Sequence, residues 1–341
     1  MSPAAAPWRA RLAERLADVE YAAAWALVSR LPEPMVTAAF RAGADLAARR
    51  GGGGVDRLRS NLARVRPDAG PAELDVLVRD GMRSYARYWQ EAFRLPAMDP
   101  SAVHAAMHPH VRGIGPSLTT LESGRGVIYA LPHAGNWDVA GLYMVRELAR
   151  LGLEPAITTV VQRLSPESLY RRFVDYRSSL GFEVVAADDG RAAHRALTRR
   201  LAAGGVVCLI ADRDLSGTGV PVDFCGAPAR LPAGPARLAL LTGAALHPAY
   251  ATFTPDAWGV RVGPEIPVGD RASVPAAVQA LADEFATMIA AKPEDWHMLQ
   301  PIWTADLPTP ARSATAEPAT AEPATAEPAA PQRTPVAERA R

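Results

Sequence analysis

The sequence predicts an α/β fold: a mostly parallel central sheet flanked by helices on both faces, preceded by an N-terminal helical region. Three observations predict it. The first third of the chain carries helical periodicity. From residue 126 onward, short apolar runs of strand length alternate with helical stretches, the pattern of parallel strands joined by crossover helices. The 341 residues, 49% of them hydrophobic, supply ample sequence for a buried core.

In order along the chain, Leu12, Leu16, Val19, Ala23 and Leu27 fall on one helical face, and Arg11, Glu14, Arg15 and Asp18 fall elsewhere. Pro32 and Pro34 end that helix, and the glycine run 51–54 marks a loop. Helical segments follow over residues 56–65, 71–93 and 99–108. Residues 126–131 (GVIYAL) read as a strand, followed by a turn and a helix from Trp137. Residues 156–161, 182–186 and 206–211 are further strands, with helices over 166–180 and 191–203 between them. A helix near 234–243, strands near 246–253 and 259–262, and a long helix over 273–291 complete the core. From about Thr309 the repeated ATAEP unit lacks large apolar residues and is read as disordered. The expected organisation is a helical region over 1–115, an α/β core over 116–308 and a tail over 309–341.

Composition excludes several classes. A formal net charge of +1 argues against a dedicated nucleic-acid binder, and two cysteines rule out a disulfide scaffold or Cys-rich zinc module. No stretch of about 18 uncharged apolar residues suits a spanning helix. The first residues lack an apolar signal region, so a cytoplasmic location is expected. No Gly-x-Ser-x-Gly elbow, phosphate loop or dinucleotide fingerprint occurs.

Sites on parallel sheets gather at the carboxyl ends of the strands. There lies LPHAGNWD, Leu131 to Asp138, the sharpest feature of the sequence. His133 follows an apolar strand, Gly135 permits a tight turn, Asn136 suits a helix cap, and Asp138 falls in the first helical turn. This spacing is expected to return the Asp138 carboxylate to the His133 ring, fixing its tautomer and making the other nitrogen a general base. The bland alternative is a turn histidine beside a capping acid. With no protein nucleophile nearby, a base here suits direct transfer to an acceptor hydroxyl.

ADRD, Ala211 to Asp214, ends a second strand. Asp212 there is expected to orient His133 or bind the acceptor hydroxyl, and Arg213 to pair with Asp214 or meet a phosphate. Arg171, Arg172 and Arg177, on one helix, suit a phosphate or pyrophosphate. Asn136, Arg171, Arg177 and Arg213 form the expected substrate-binding set. His104, His108 and His110 make a His-x3-His-x-His group, but Pro109 interrupts it and no acid is evident nearby, so a structural role is expected and no metal site is assigned. Cys208 is read as packing within its strand. Between Arg41 and Arg66 seven arginines face two acids. With Trp8, Tyr21 and Trp25, they suggest docking on an anionic membrane surface.

LPHAGNWDVAG resembles the His-x4-Asp motif of the lysophospholipid acyltransferase superfamily, in its bacterial lipid A acyltransferase-like branch. Tyr85–Pro96, Arg163–Val184, Val206–Leu215, Val222–Ala239 and Asp295–Trp303 extend the resemblance over residues 8–305, most closely to the actinobacterial phosphatidylinositol mannoside acyltransferases. The resemblance implies transfer of a palmitoyl-type chain from acyl-CoA, a co-substrate, with no cofactor. The implied acceptor is a mannose hydroxyl of a phosphatidylinositol mannoside at the cytoplasmic membrane face. It also implies His133 as base, Asp138 as its partner and Arg177 as an acyl-CoA or head-group contact. The family's additional acid, a Glu, falls on Asp212, one methylene shorter. Another family Glu falls on Gln162. The rival readings are an acyltransferase for another lysophospholipid or glycolipid and a non-catalytic lipid-binding protein. An apolar tunnel for the acyl chain is expected near residues 127–131 and 238–246.

Overall fold

The computed structural model describes residues 28–163 and 167–307. The amphipathic helix expected over 12–27, the aromatic residues Trp8, Tyr21 and Trp25, Ser165, Pro166 and the repeat tail lie outside them.

Helices α1 (Glu33–Arg50), α2 (Gly53–Val65) and α3 (Pro71–Arg94) come first. They bury a small core of Ala44, Val55, Leu58, Leu62, Val78 and Met82. Helix α1 is absent from the sequence reading, which took Pro32 and Pro34 only as terminators. Pro34 sits in the first turn of the helix, where its missing N–H costs nothing. Helix α4 (Pro100–Met107), the short strand β1 (Val111–Arg112) and helix α5 (Gly115–Glu122) lead into the sheet.

The alternation then runs as the apolar pattern dictates: β2 (Val127–Leu131), α6 (Trp137–Arg150), β3 (Ile157–Val161), α7 (Glu167–Ser179), β4 (Phe182–Ala186), α8 (Gly190–Ala202) and β5 (Val206–Ile210). After β5 come β6 (Val220–Phe224), β7 (Ala227–Leu231), α9 (Gly234–Thr242), β8 (Ala245–Phe253), β9 (Trp258–Val262) and α10 (Val274–Ala291). The seven-stranded sheet has the order β1-β9-β8-β2-β5-β3-β4. Strands β8, β2, β5, β3 and β4 are parallel, and β9 reverses against β8. This is the predicted α/β fold with its mostly parallel sheet.

Alternate residues of β2 enter two separate cores. Ile128 and Ala130 pack with α9, α10 and the β6–β7 hairpin. Val127, Tyr129 and Leu131 pack with α6 and α7. All five are buried, as a central parallel strand requires.

The β6–β7 hairpin also went unread. Its two-residue turn is Cys225–Gly226, both with positive φ (52° and 75°), the signature of a type I′ connection. Cys-Gly is a weaker hairpin signal than Asn-Gly, and Pro221 and Pro228 disguise the strands.

Candidate active site

Register builds the site. Strands β2 and β5 are parallel neighbours, with Leu131 opposite Ile210. Two residues beyond each strand end stand His133 and Asp212, and the continued pairing of the Ala211 N–H with the Leu131 carbonyl (2.7 Å) keeps the chains together. His133 Nδ1 lies 2.6 Å from Asp212 Oδ1, and the His133 N–H donates to Asp212 Oδ2 at 2.9 Å. The indole N–H of Trp296 donates to the same Oδ2 at 3.0 Å.

Asp212 is fully buried. Burial alone would raise its pKa. The charge of His133 and the hydrogen bonds from its ring, Trp296 and the His133 backbone outweigh that and hold the carboxyl below its ordinary value. An ionised Asp212 only accepts hydrogen bonds, so Nδ1 of His133 carries the proton and Nε2 presents a lone pair. The ring is partly open, its side chain 38% exposed. A buried acid thus orients an accessible imidazole.

The sequence reading made Asp138 the partner of His133, and the geometry corrects it. Asp138 is 1% exposed and forms a two-pronged ion pair with Arg177, Nε to Oδ1 at 2.7 Å and Nη2 to Oδ2 at 3.1 Å. The first turn of α6 turns Asp138 toward α7, whereas the neighbouring strand end brings Asp212 directly to the ring. Asp138 opposes burial and holds the Arg177 guanidinium firmly protonated. Arg177, expected to touch substrate, is bound to this carboxylate.

Asn136 also moves from substrate contact to scaffold. It is buried, caps α6 by accepting the Val139 N–H at 3.1 Å, and donates to Glu91 Oε2 at 2.8 Å. With Val139 held by the cap and Ala140 bonded to the Asn136 carbonyl, the N–H groups of Trp137 and Asp138 have no acceptor in their own helix. They open the helix four residues past His133, where negative charge is stabilised. Gly135 makes the turn possible: its φ is +54°, and a Cβ there would meet the Ala251 carbonyl oxygen at 2.5 Å.

Arg171 projects from α7 and pairs with Glu167 at 3.3 Å. Arg213 is half-buried beside the dyad, and burial lowers its pKa against the opposing pull of Asp212. Among the described residues no carboxylate lies within 4.0 Å of its guanidinium. Asp214, its expected partner, instead accepts the N–H groups of Ser216 (2.9 Å) and Gly219 (2.6 Å), folding its own loop.

Three groups escaped the sequence reading. Glu91 on α3 is buried among Arg87, Asn136 and the Trp258 indole; burial raises its pKa against those partners. The signal was its place on the stripe Ser84, Tyr88, Glu91, Leu95, an acid where apolar residues belong. The second is the segment Asp295–Trp296–His297, which runs antiparallel beside the catalytic turn: Gly135 donates to the Asp295 carbonyl (2.8 Å) and His297 to the His133 carbonyl (2.7 Å). The third is the His297 ring. Burial and the neighbouring His133 push its pKa down to about 3, so it is neutral. Ser84 spends its proton on Asp295 and therefore accepts from His297 Nε2 at 2.9 Å.

Beneath this site lies an apolar cavity of about 90 Å³. Leu131, Trp137, Asp138 and Ile210, which flank the dyad in sequence, line it together with Tyr143, Phe182, Cys208 and Val262. The His133 ring meets Trp137 edge-on, with centroids 6.1 Å apart. Of residues 127–131, Tyr129 and Leu131 line this cavity. The α9 segment expected to add a wall lies instead in the other core, because β2 separates the two faces.

The model of the bacterial lipid A biosynthesis acyltransferase family matches residues 7–305. A phosphatidylinositol mannoside acyltransferase of Mycolicibacterium smegmatis is 50% identical over 303 residues, 88% of this chain and 95% of that relative. Proteins of the same name from two Mycobacterium tuberculosis strains, CDC 1551 and H37Rv, are 46% identical over 302 residues, 88% of this chain and 92% of theirs. Strand register, an oriented histidine and near-full-length similarity converge: the chain belongs to the bacterial lipid A biosynthesis acyltransferase family, in company with phosphatidylinositol mannoside acyltransferases.

Proposed function

We propose that the protein transfers a palmitoyl-type chain from acyl-CoA to a mannose hydroxyl of a phosphatidylinositol mannoside, with His133 as general base. The observation that carries this reading is the His133–Asp212 pair at the strand ends, next in sequence to residues that line an apolar cavity. Nε2 takes the proton of the acceptor hydroxyl as its oxygen attacks the thioester carbonyl. Asp212 stabilises the imidazolium that results. The N–H groups of Trp137 and Asp138 receive the oxyanion of the tetrahedral intermediate. The C–S bond then breaks, and Nε2 returns the proton to the departing thiolate. The cavity accepts the first methylenes of the acyl chain beyond the thioester, and Arg213 meets a phosphate of the donor.

The acceptor follows from the names of the relatives. Docking at the cytoplasmic face of an anionic membrane is supported by α1, which exposes Met35 (60%) near its start and Arg41, Arg49 and Arg50 further along. No helix of the described residues is long and apolar enough to cross a membrane. The basic stretch is weaker than its charge count implies. Arg57 and Arg64 pair with Asp306, Arg59 with Asp75 and Arg66 with Glu73.

The test is CoA release from palmitoyl-CoA by wild type and His133→Ala, with phosphatidylinositol mannoside, with lysophospholipid, and with no acceptor. Release that depends on the mannolipid and disappears in the variant is the expected result. Release with lysophospholipid alone overturns the acceptor, and undiminished release by a folded His133→Ala overturns the base.

A further inference from the structure

His104 and His108 stand one turn apart at the end of α4. The sequence offered them no acid. The fold supplies one from α6: Glu147, 43 residues beyond His104 and 1% exposed, with its Oε1 2.6 Å from His104 Nε2 and 4.0 Å from His108 Nδ1. We propose that His104, His108 and Glu147 form a binding site for a divalent transition-metal cation of the zinc type.

Geometry and donor chemistry both favour it. One ligand atom from each residue lies within 4.8 Å of the others. Around a tetrahedral zinc with bonds of about 2.0–2.1 Å, ligand atoms stand about 3.3–3.4 Å apart. The short His104–Glu147 separation and the long His108–Glu147 separation lie on either side of that value. A shift of about 0.7 Å in each brings both to it, within reach of side-chain rotation. Two imidazoles four residues apart on a helix, with a carboxylate from a second helix, make a nitrogen-and-oxygen set that suits zinc over calcium or magnesium.

The surroundings are already organised. Glu147 Oε2 receives Nε and Nη2 of Arg150 at 3.1 and 2.8 Å, which orients the carboxylate and leaves Oε1 toward the histidines. The His104 ring stacks on Tyr143 at 4.7 Å with a 9° interplanar angle, and His108 Nδ1 lies 2.9 Å from the Tyr143 hydroxyl. His108 is exposed, with a side-chain accessibility of 61%, so a cation has an entry path and a fourth position for water. His110 does not join the group. The competing role is a carboxylate–imidazole hydrogen bond that needs only His104. A cation requires His108 as well.

The site differs from the catalytic dyad but lies on the helix that follows the His133 turn. Glu147 and Tyr143 lie on α6, whose first turn follows the His133 turn, and Tyr143 also lines the apolar cavity. A bound cation therefore ties α4 to α6 and fixes one wall of that cavity.

The experiment uses the full, tag-free chain after treatment with a chelator and its removal. Zn2+ is titrated by calorimetry and by competition with a chromophoric chelator, with Mg2+ as control, for wild type, His108→Ala and Glu147→Gln. Expected are one equivalent of Zn2+, a rise in Tm on binding, and an affinity in His108→Ala weaker by more than about 100-fold, beyond what loss of an outer-shell contact costs. The exposed His108→Ala keeps the test decisive if Glu147→Gln fails to fold. Absence of stoichiometric binding, or equal binding by wild type and His108→Ala, overturns the site.

Discussion

Two buried aspartates, Asp138 and Asp212, flank the catalytic turn, each held in two prongs, and their partners set their roles. Arg177 grips Asp138 with a cation that never gives up its proton. His133 grips Asp212 with a ring that can gain and lose one. The first pairing ties α6 to α7 permanently. The second joins a buried carboxylate to a partly exposed imidazole at the carboxyl ends of β2 and β5. The two ends of the His-x4-Asp segment therefore have different partners: His133 meets Asp212 on the neighbouring strand end, and Asp138 fastens α6 to α7.

The widest separation between the two acids is in turnover. His133→Ala is expected to lower kcat by about 10³-fold or more, and also to cost stability, since it leaves the buried Asp212 carboxylate without its ring partner. Asp212→Asn should cost about 10²–10⁴-fold, because an amide no longer selects the tautomer with a free Nε2. Asp212→Glu should retain more activity than the amide, since it keeps the charge on a longer stem. Steady-state kinetics of folded variants check all three. An Asn variant as active as wild type would remove Asp212 from the proton path.

Asp138 should respond in stability. Asp138→Asn leaves the Arg177 guanidinium buried without its counter-charge and is expected to cost about 3–5 kcal/mol in urea unfolding. Pairing it with Arg177→Met should recover part of that loss, because the double variant buries no orphan charge. A fall in kcat at unchanged stability would instead put Asp138 in the chemistry. Next in size is the exposed pair Arg59–Asp75, where Arg59→Ala should cost less than about 1 kcal/mol.

The fold was readable because parallel strands buried on both faces leave continuous apolar runs, and β2 and β5 are such runs. His133 and Asp212 were each readable as strand-end residues. Their union was legible only as one of two roles for Asp212, because β2 and β5 are neighbours only after β3 and β4 have been laid outside them. Spacing along one segment made Asp138 the nearer candidate, and sheet register made Asp212 the partner. Glu147 was hidden from His104 for the same reason, since the acid comes from another helix. Asn136 was recognised as a cap, but its second bond, to Glu91, depends on how α3 crosses the site.

The two histidines joined by backbone pairing sharpen the comparison furthest. His133 has a carboxylate at its Nδ1, whereas the buried Nδ1 of His297 finds no hydrogen-bond partner. Burial and the charge of His133 hold His297 neutral, with a pKa near 3 against an ordinary value of 6.5. The unfolded chain therefore binds one more proton than the folded one between those values. The resulting stability is fully present above pH 6.5 and falls on acidification toward pH 3, by up to about 1.4 kcal/mol per pH unit from this group. Unfolding free energies measured from pH 7 to 5 for wild type and His297→Gln should converge as the pH falls, the variant lacking this titration. Parallel curves would mean that His297 takes up its proton at the same pH folded and unfolded, so that burial does not hold the second histidine neutral.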